Sequence, residues 1–213
     1  IRTIFESLPF MALTATATDK VLADIKHILN INECQIFSQS FFRNNLNIKF
    51  IKKDKNSLED IVDKIRTVYR DKSGIIYCHS RKQCEDISNK IKEYNISCEF
   101  YHAGLSRGNR ESIQNDWVDN KIKIIIATIA FGMGIDKSDV RFVIHYNLPM
   151  SIENYYQEIG RAGRDGASSD CIIYYNYQDK MVYQKMIQSE DSNSPRRKAY
   201  NKQRINNIDR FII

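Results

Sequence analysis

Two arginines lie three residues apart in a glycine-rich stretch, and this spacing suits phosphate chemistry. Arg161 and Arg164 stand in the segment 160–166, which reads GRAGRDG. A guanidinium is always protonated and can donate two parallel hydrogen bonds to phosphate oxygens. Such a pair can stabilise the negative charge that develops on a phosphoryl group during its transfer. The simpler alternative is a pair of surface arginines at a helix C-terminus, where the helix dipole favours cations.

A second segment that could bind a ligand follows an apolar run. Residues 127–137 read ATIAFGMGIDK. Gly132 and Gly134 would let the backbone approach a phosphate or nucleic-acid backbone closely. The carboxylate of Asp136 could accept hydrogen bonds from a ribose hydroxyl, although a plain tight turn is the alternative. A third segment, residues 13–18 (LTATAT), is small and polar, but threonine is also ordinary in strands and at helix N-caps.

Alternating strands and helices must position these segments. Amphipathic helices are predicted to begin near Ser57, Ser80, Ser106 and Ser151. Between them the sequence predicts continuously apolar strands over residues 74–78, 97–102, 123–128, 141–145 and 171–175. Such strands are typical of a parallel sheet that helices cover on both faces, so residues 40–178 are predicted to form one doubly wound α/β domain. Ligands bind at the carboxyl ends of the strands in such sheets.

The rest of the chain carries weaker patterns. We predict a strand over residues 8–14, and then a helix capped by Thr18 or Asp19. Residues 31–56 are irregular with a β-leaning composition, and residues 178–189 are helical. Both chain ends interrupt an element, so we expect a fragment with three parts: the end of one domain and a connector (1–39), the α/β domain (40–178), and a truncated helical region (179–213).

Composition limits the class of protein. Lys and Arg number 32 against 26 Asp and Glu, and the net charge of +6 favours nucleic acid or nucleotide partners, although a well solvated surface explains it equally. The apolar runs are too short for a membrane span, so no membrane partner is expected. The five cysteines lack C-x-x-C spacing, which argues against a disulfide framework or a zinc site, and indicates a reducing compartment.

Taken together, the segments resemble the RecQ family of superfamily 2 DNA helicases over residues 1 to about 190. DEAD-box RNA helicases carry different sequences at the third and sixth motifs. The family usually has a proline where this chain has Asn44, and another where it has Ser138 after Lys137. Neither departure removes a reactive group. Residues 13–18 are similar to helicase motif III, residues 75–85 (IIYCHSRKQCE) to motif IV and residues 101–105 (YHAGL) to a short family motif. Residues 126–149 are similar to motif V, and residues 151–166 (SIENYYQEIGRAGRDG) to motif VI.

The resemblance implies a role for each matched residue. Arg161 and Arg164 would reach the phosphates of ATP, and Gln157 would couple nucleotide state to domain position. Asp136 would contact the ribose, with Gly134 in the same nucleotide-binding loop.

The remaining matched residues would contact or respond to DNA. Thr128 and Gly132 would lie near the DNA backbone. Three residues would contact the DNA strand along which the enzyme moves: Ser80, Arg81 and His102. Ordinary structural roles explain them equally, as a capping serine, a surface arginine and a half-buried histidine. Two residues of motif III would couple hydrolysis to DNA, namely Thr14 and Thr16.

The family further implies a RecA-like fold and a place in a larger enzyme. The chain would be the second motor domain of an ATP-dependent 3′-to-5′ DNA helicase of recombination and repair, nuclear in a eukaryote and otherwise cytoplasmic. The sequence contains no G-x-x-x-x-G-K-[ST] motif, so ATP and Mg²⁺ would be bound mainly by a first domain and this chain alone would be inactive. We predict no metal ligands here, and zinc only downstream. A nucleic-acid-binding module without ATPase activity and a superfamily 2 RNA helicase are the alternatives.

Overall fold

The computed structural model describes residues 9–14, 19–38, 43–132, 135–189, 201 and 205–206. Internal contacts divide the chain into two compact units, Ile1–Arg43 and Asn44–Ile213. No helix in these described ranges is long and apolar enough to cross a membrane.

The first unit contains one helix, α1 (Asp19–Leu29). Three of its apolar side chains are partly buried (Leu22, Ile25 and Leu29), whereas Val21 and Ile28 are exposed. The strand predicted over residues 8–14 is wrong, because residues 9–14 have no regular secondary structure. A strand needs a hydrogen-bonded neighbour, and all the strand pairs in the described chain belong to the second unit.

The second unit is an α/β domain with a six-stranded sheet. All strand pairs are parallel, and the strand order is β1-β6-β5-β2-β4-β3. This confirms the predicted fold class. The strands and helices in chain order are β1 (Leu46–Lys52), α2 (Ser57–Thr67), β2 (Ser73–Tyr77), α3 (Arg81–Lys92), β3 (Cys98–Tyr101), α4 (Arg107–Val118), β4 (Ile124–Ala127), β5 (Val140–His145), α5 (Ile152–Ile159), β6 (Ser169–Tyr175) and α6 (Tyr177–Ser189).

Helices cover both faces of the sheet, as predicted. Helices α2 and α3 enclose a core on one face, where Ile61 and Ile87 pack against Ile76 of β2. Helices α4, α5 and α6 enclose the core on the other face, where Trp117 and Ile159 are fully buried. Strands β2 and β4 are buried at every position, because a parallel sheet with two covered faces leaves no side exposed.

Local sequence features explain how the helices begin. The predicted caps at Ser80 and Ser151 are confirmed, since each hydroxyl accepts a hydrogen bond from the backbone N–H three residues later. Ser106, which was predicted to begin a helix, caps α4 in the same way. Gly74 in β2 is required because a Cβ there would lie 2.1 Å from the ring of Phe142.

Two details differ from the predictions. The region predicted to be irregular before α2 contains a regular edge strand, β1; most of its residues are exposed, including Ile48 and Phe50, so it lacks the continuous apolar run of the buried strands. The apolar spacing of α3 also predicts a buried Tyr94, but Tyr94 is exposed, because it lies in the turn beyond that helix.

Candidate functional site

The end of α5 forms a tight turn that directs the two arginines. The helix ends at Gly160, and Gly163 takes a positive φ of 53°. A Cβ on Gly163 would lie 2.6 Å from both the Ala167 carbonyl oxygen and the Asn45 side-chain amide, so only glycine fits. Asn45 Nδ2 donates hydrogen bonds of 2.9 Å to the carbonyls of Gly163 and Ala167, and these bonds hold the turn closed.

Arg161 lies against the loop that follows β4. Its Nη1 donates a hydrogen bond to the carbonyl oxygen of Gly132. Its Nε is buried and has no hydrogen-bond partner among the described residues. A Cβ on Gly132 would lie 3.1 Å from Nη2 of Arg161, so the absence of a side chain lets the guanidinium lie close to the backbone.

Arg164 contacts the same loop further along the chain. Its Nη1 donates to the Ile135 carbonyl oxygen at 2.8 Å and to Oδ1 of Asp136 at 3.0 Å. The Asp136 side chain is 92% exposed, and exposed ion pairs contribute only about 0–1 kcal/mol. An anionic ligand could therefore replace this carboxylate at little cost. The structure thus brings together Arg161, Arg164, Gly132 and Asp136, which we call the arginine site.

The arginine site extends toward the amino end of β5. The N–H of Gly163 donates to the carbonyl oxygen of Val140 at 2.9 Å, and the N–H of Asp165 donates to that of Ser138 at 3.3 Å. Val140 is the first residue of β5. The site therefore follows one helix-covered face and does not lie wholly at the carboxyl edge, where the sequence reasoning placed ligands.

Four other predicted residues follow the carboxyl ends of three adjacent strands. Ser80 and Arg81 follow β2, His102 follows β3 and Thr128 follows β4; we call them the strand-edge site. Arg81 is exposed, and its Nη1 would lie 3.2 Å from a Cβ on Gly104. Ser80 Oγ accepts a 3.2 Å hydrogen bond from the N–H of Gln83, which caps α3.

His102 is more deeply buried than predicted. Its Nδ1 accepts a 3.2 Å hydrogen bond from the N–H of Gly104, so Nε2 carries the proton and donates to Oε1 of Glu85 at 3.0 Å. The hydroxyl of Thr128 accepts a 3.4 Å hydrogen bond from the N–H of Ala130. Both side chains hold the loops that they begin.

The remaining predicted residues lie apart from these two groups or outside the description. Gln157 is exposed on α5, four residues before Arg161. Thr14 is exposed in the first unit. Thr16 and Gly134 lie outside the described residues. No group of three or more His, Cys, Asp or Glu side chains within the described part of the chain could hold a metal ion.

Sequence reasoning missed several polar residues around the arginine site. Tyr77 donates a 3.0 Å hydrogen bond to the carbonyl oxygen of Phe131, and His145 lies 2.6 Å from Glu158. Asn45, which was considered only as part of an altered family motif, holds the turn at Gly163. The one available signal was a tyrosine or histidine that ends an apolar strand.

Comparisons with known proteins agree with this geometry. The family model described as the helicase conserved C-terminal domain matches residues 55–166. The chain is 50% identical over 181 residues to the RecQ-like DNA helicase blm-1 of Caenorhabditis elegans, covering 85% of this chain and 18% of that protein. It is 46% identical over 186 residues to the ATP-dependent helicase SGS1 of Saccharomyces cerevisiae, covering 87% of this chain and 13% of that protein.

The chain therefore spans less than a fifth of the length of either relative. Among solved structures it is similar to S. cerevisiae Dbp5 bound to RNA and ADP BeF3, with a TM-score of 0.66 and 20% identity. That match covers 82% of this chain and 47% of the other, and it concerns the fold alone.

Proposed function

This chain belongs to the helicase conserved C-terminal domain family, as a RecQ-like member, and we propose that it is the second RecA-like motor domain of an ATP-dependent DNA helicase. The observation that supports this most directly is the arginine site. Two guanidiniums converge there on one loop, and the carboxylate that accompanies them is exposed and replaceable.

The arginine site suits charge stabilisation during phosphoryl transfer. Arg161 and Arg164 donate to backbone carbonyls, which carry no net charge, and among the described residues Asp136 is the carboxylate that pairs with them. A phosphate that enters the site would take the place of Asp136 on Arg164, and Asp136 would then be free to accept hydrogen bonds from a ribose hydroxyl. Both arginines would stabilise the charge that develops on the transferred phosphoryl group.

Another motor domain would supply the rest of the reaction. The described residues do not fit a metal site, so Mg²⁺ would be held by that other domain. Exposed Gln157, one helical turn before Arg161, would sense whether the two domains have closed around ATP. Thr14 and Thr16 would couple hydrolysis to DNA, and zinc would bind only further along the chain.

The strand-edge site would hold one DNA strand mainly through its phosphates. Repeated closure and opening of the two motor domains would then move this domain along the strand in the 3′-to-5′ direction. We further propose a role in recombination and repair, and a nuclear location if the source is a eukaryote. The chain alone would bind nucleic acid without hydrolysing ATP, since its sequence lacks a P-loop.

The test compares the full-length protein that carries this chain with the 213-residue chain alone. We expect the full-length protein to hydrolyse ATP in the presence of DNA and to unwind a DNA duplex with a 3′ tail, but not one with a 5′ tail. The chain alone should do neither. Preferential unwinding of a matched RNA duplex would favour an RNA helicase instead, and DNA binding without hydrolysis by the full-length protein would favour a binding module.

A further inference from the structure

Three buried polar side chains lie next to the arginine site and have no part in the proposed chemistry. Tyr77 is 4% exposed, His145 is 1% exposed and Glu158 is 7% exposed. Burying a polar or charged group costs free energy unless the group is hydrogen-bonded. Their partners therefore indicate what this part of the fold holds in place.

Glu158 joins helix α5 to the centre of the sheet. Its Oε2 lies 2.6 Å from Nε2 of His145, and the imidazole N–H donates to the carboxylate. His145 is the last residue of β5, and Glu158 lies three residues before Arg161 at the end of α5. The bond therefore fixes the position of the last helical turn, from which Arg161 extends.

Tyr77 links the same histidine to the glycine loop. Its ring stacks on the imidazole of His145, with centroids 5.3 Å apart and an interplanar angle of 23°. Its hydroxyl donates a 3.0 Å hydrogen bond to the carbonyl oxygen of Phe131. The next carbonyl, that of Gly132, accepts from Arg161. Two successive carbonyls of the loop are thus held by two donors, one from β2 and one from the end of α5.

The electrostatics of Tyr77 agree with this arrangement. Burial raises the pKa of the Tyr77 hydroxyl well above its usual value. The positive charge of Arg161 opposes the increase, and the negative charge of Glu158 adds to it. Tyr77 therefore remains a neutral donor at physiological pH, and both Arg161 and Glu158 act on its hydroxyl.

We propose that Tyr77, His145 and Glu158 form a positioning cluster that sets the orientation of Arg161 against residues 131–132. None of the three needs to touch a phosphate, so each acts through Arg161 and the loop. The consequence for hydrolysis rests on the proposed function, whereas the orientation of Arg161 is a property of this chain.

The first test measures the orientation of Arg161 without any enzymatic assay. The Nε–Hε signal of Arg161 is recorded by ¹H–¹⁵N NMR in the 213-residue chain and in Tyr77→Phe. Loss of one hydrogen bond should shift this signal and speed its solvent exchange by about two- to tenfold. Tyr174→Phe is the matched control, because Tyr174 is equally buried and its hydroxyl donates to Asp60 on the other face of the sheet.

Glu158→Gln provides an independent variant that preserves the shape of the side chain. It should move the same Arg161 signal, because a neutral amide oxygen accepts the His145 N–H more weakly than a carboxylate does and so holds the last turn of α5 less firmly. An Arg161 signal that is unchanged in both variants, or that moves as much in Tyr174→Phe, would overturn the proposal.

The second test measures ATP hydrolysis by the full-length protein. Tyr77→Phe should lower kcat by about tenfold, because a misplaced guanidinium loses part of its transition-state contact. KM for ATP and the affinity for DNA should stay within about twofold, and Tyr174→Phe should leave all three unchanged. Equal kcat values in the two variants would contradict the proposal. A wild-type protein without ATPase activity would instead count against the proposed function, and the NMR signal would then decide the role of the cluster.

Discussion

The arginine site and the strand-edge site use their polar groups differently. In the arginine site, Arg161 and Arg164 donate to backbone carbonyls and to one exposed carboxylate, so the site keeps a net positive charge. In the strand-edge site, the carboxylate of Glu85 lies 3.0 Å from His102, and the hydroxyls of Ser80 and Thr128 accept hydrogen bonds from backbone N–H groups.

This difference shows which site can respond to a ligand through its side chains. The arginine site keeps cationic groups whose partners are weak, so an anionic ligand would change its hydrogen bonds. At the strand-edge site, Ser80 caps a helix and His102 and Thr128 hold loops in place, and exposed Arg81 is the one of the four that could pair with a phosphate. We therefore expect substitutions in the arginine site to affect turnover, and those in the strand-edge site to affect folding or DNA affinity.

The largest effect should come from Arg164→Ala. Loss of this guanidinium should lower the ATPase rate of the full-length protein by about 10³-fold or more, because a positioned arginine stabilises the charge of the transferred phosphoryl group. DNA affinity should be nearly unchanged. Steady-state ATPase and DNA-binding titrations would measure both.

Arg107→Ala is the matched control for this prediction. Arg107 is also an exposed arginine with a single carboxylate partner, Glu111, at 2.7 Å, but it lies on α4. Its substitution should leave turnover unchanged. If Arg164→Ala kept the wild-type rate, Arg164 would have no part in the reaction and the contrast between the sites would fail.

A smaller effect is expected from Gly132→Ala. The new methyl group would lie 3.1 Å from Nη2 of Arg161, so the guanidinium would have to move by a few tenths of an ångström. We expect the ATPase rate to fall by about tenfold, since small misplacements near a reacting group are costly.

Gly108→Ala tests whether any added methyl group has this effect. Gly108 lies in α4 with no atom within 4 Å of the added Cβ, so alanine should stabilise the helix by roughly 0.5–1 kcal/mol and leave the rate unchanged. Thermal unfolding and ATPase assays on both variants would separate stability from positioning. An unchanged rate in Gly132→Ala would mean that Arg161 tolerates displacement.

The sequence predicted the sheet and its helices because their signals are local. Apolar runs such as residues 123–128 and capping serines such as Ser151 act over a few residues, and the structure confirms them. The edge strand β1 could not be predicted in this way. This strand is regular because it pairs with β6, which lies about 120 residues later in the chain, and its own composition does not specify that partner.

The candidate residues followed from the motifs, but their partners did not. No sequence pattern connects Tyr77 to Phe131, or His145 to Glu158, because these contacts arise only when the strands are placed side by side. Lys137 is a further example. In the sequence it stands out only because the family's proline is missing after it. In the structure its buried Nζ donates to Asn120 Oδ1 at 3.0 Å.

The smallest effect should separate the structural and the ligand-binding roles of Ser80. Ser80 and Ser106 cap α3 and α4, and each accepts a 3.2 Å hydrogen bond from the N–H three residues later. Ser80→Ala and Ser106→Ala should therefore each lower the free energy of unfolding by about 1 kcal/mol. Denaturant titration of the 213-residue chain would measure both losses.

If Ser80 also contacts the tracking strand, only its variant should lose DNA affinity, by roughly two- to tenfold for one hydrogen bond. Equal DNA affinity in the two variants would restrict Ser80 to capping, and Arg81 would then be the strand-edge residue to test against DNA.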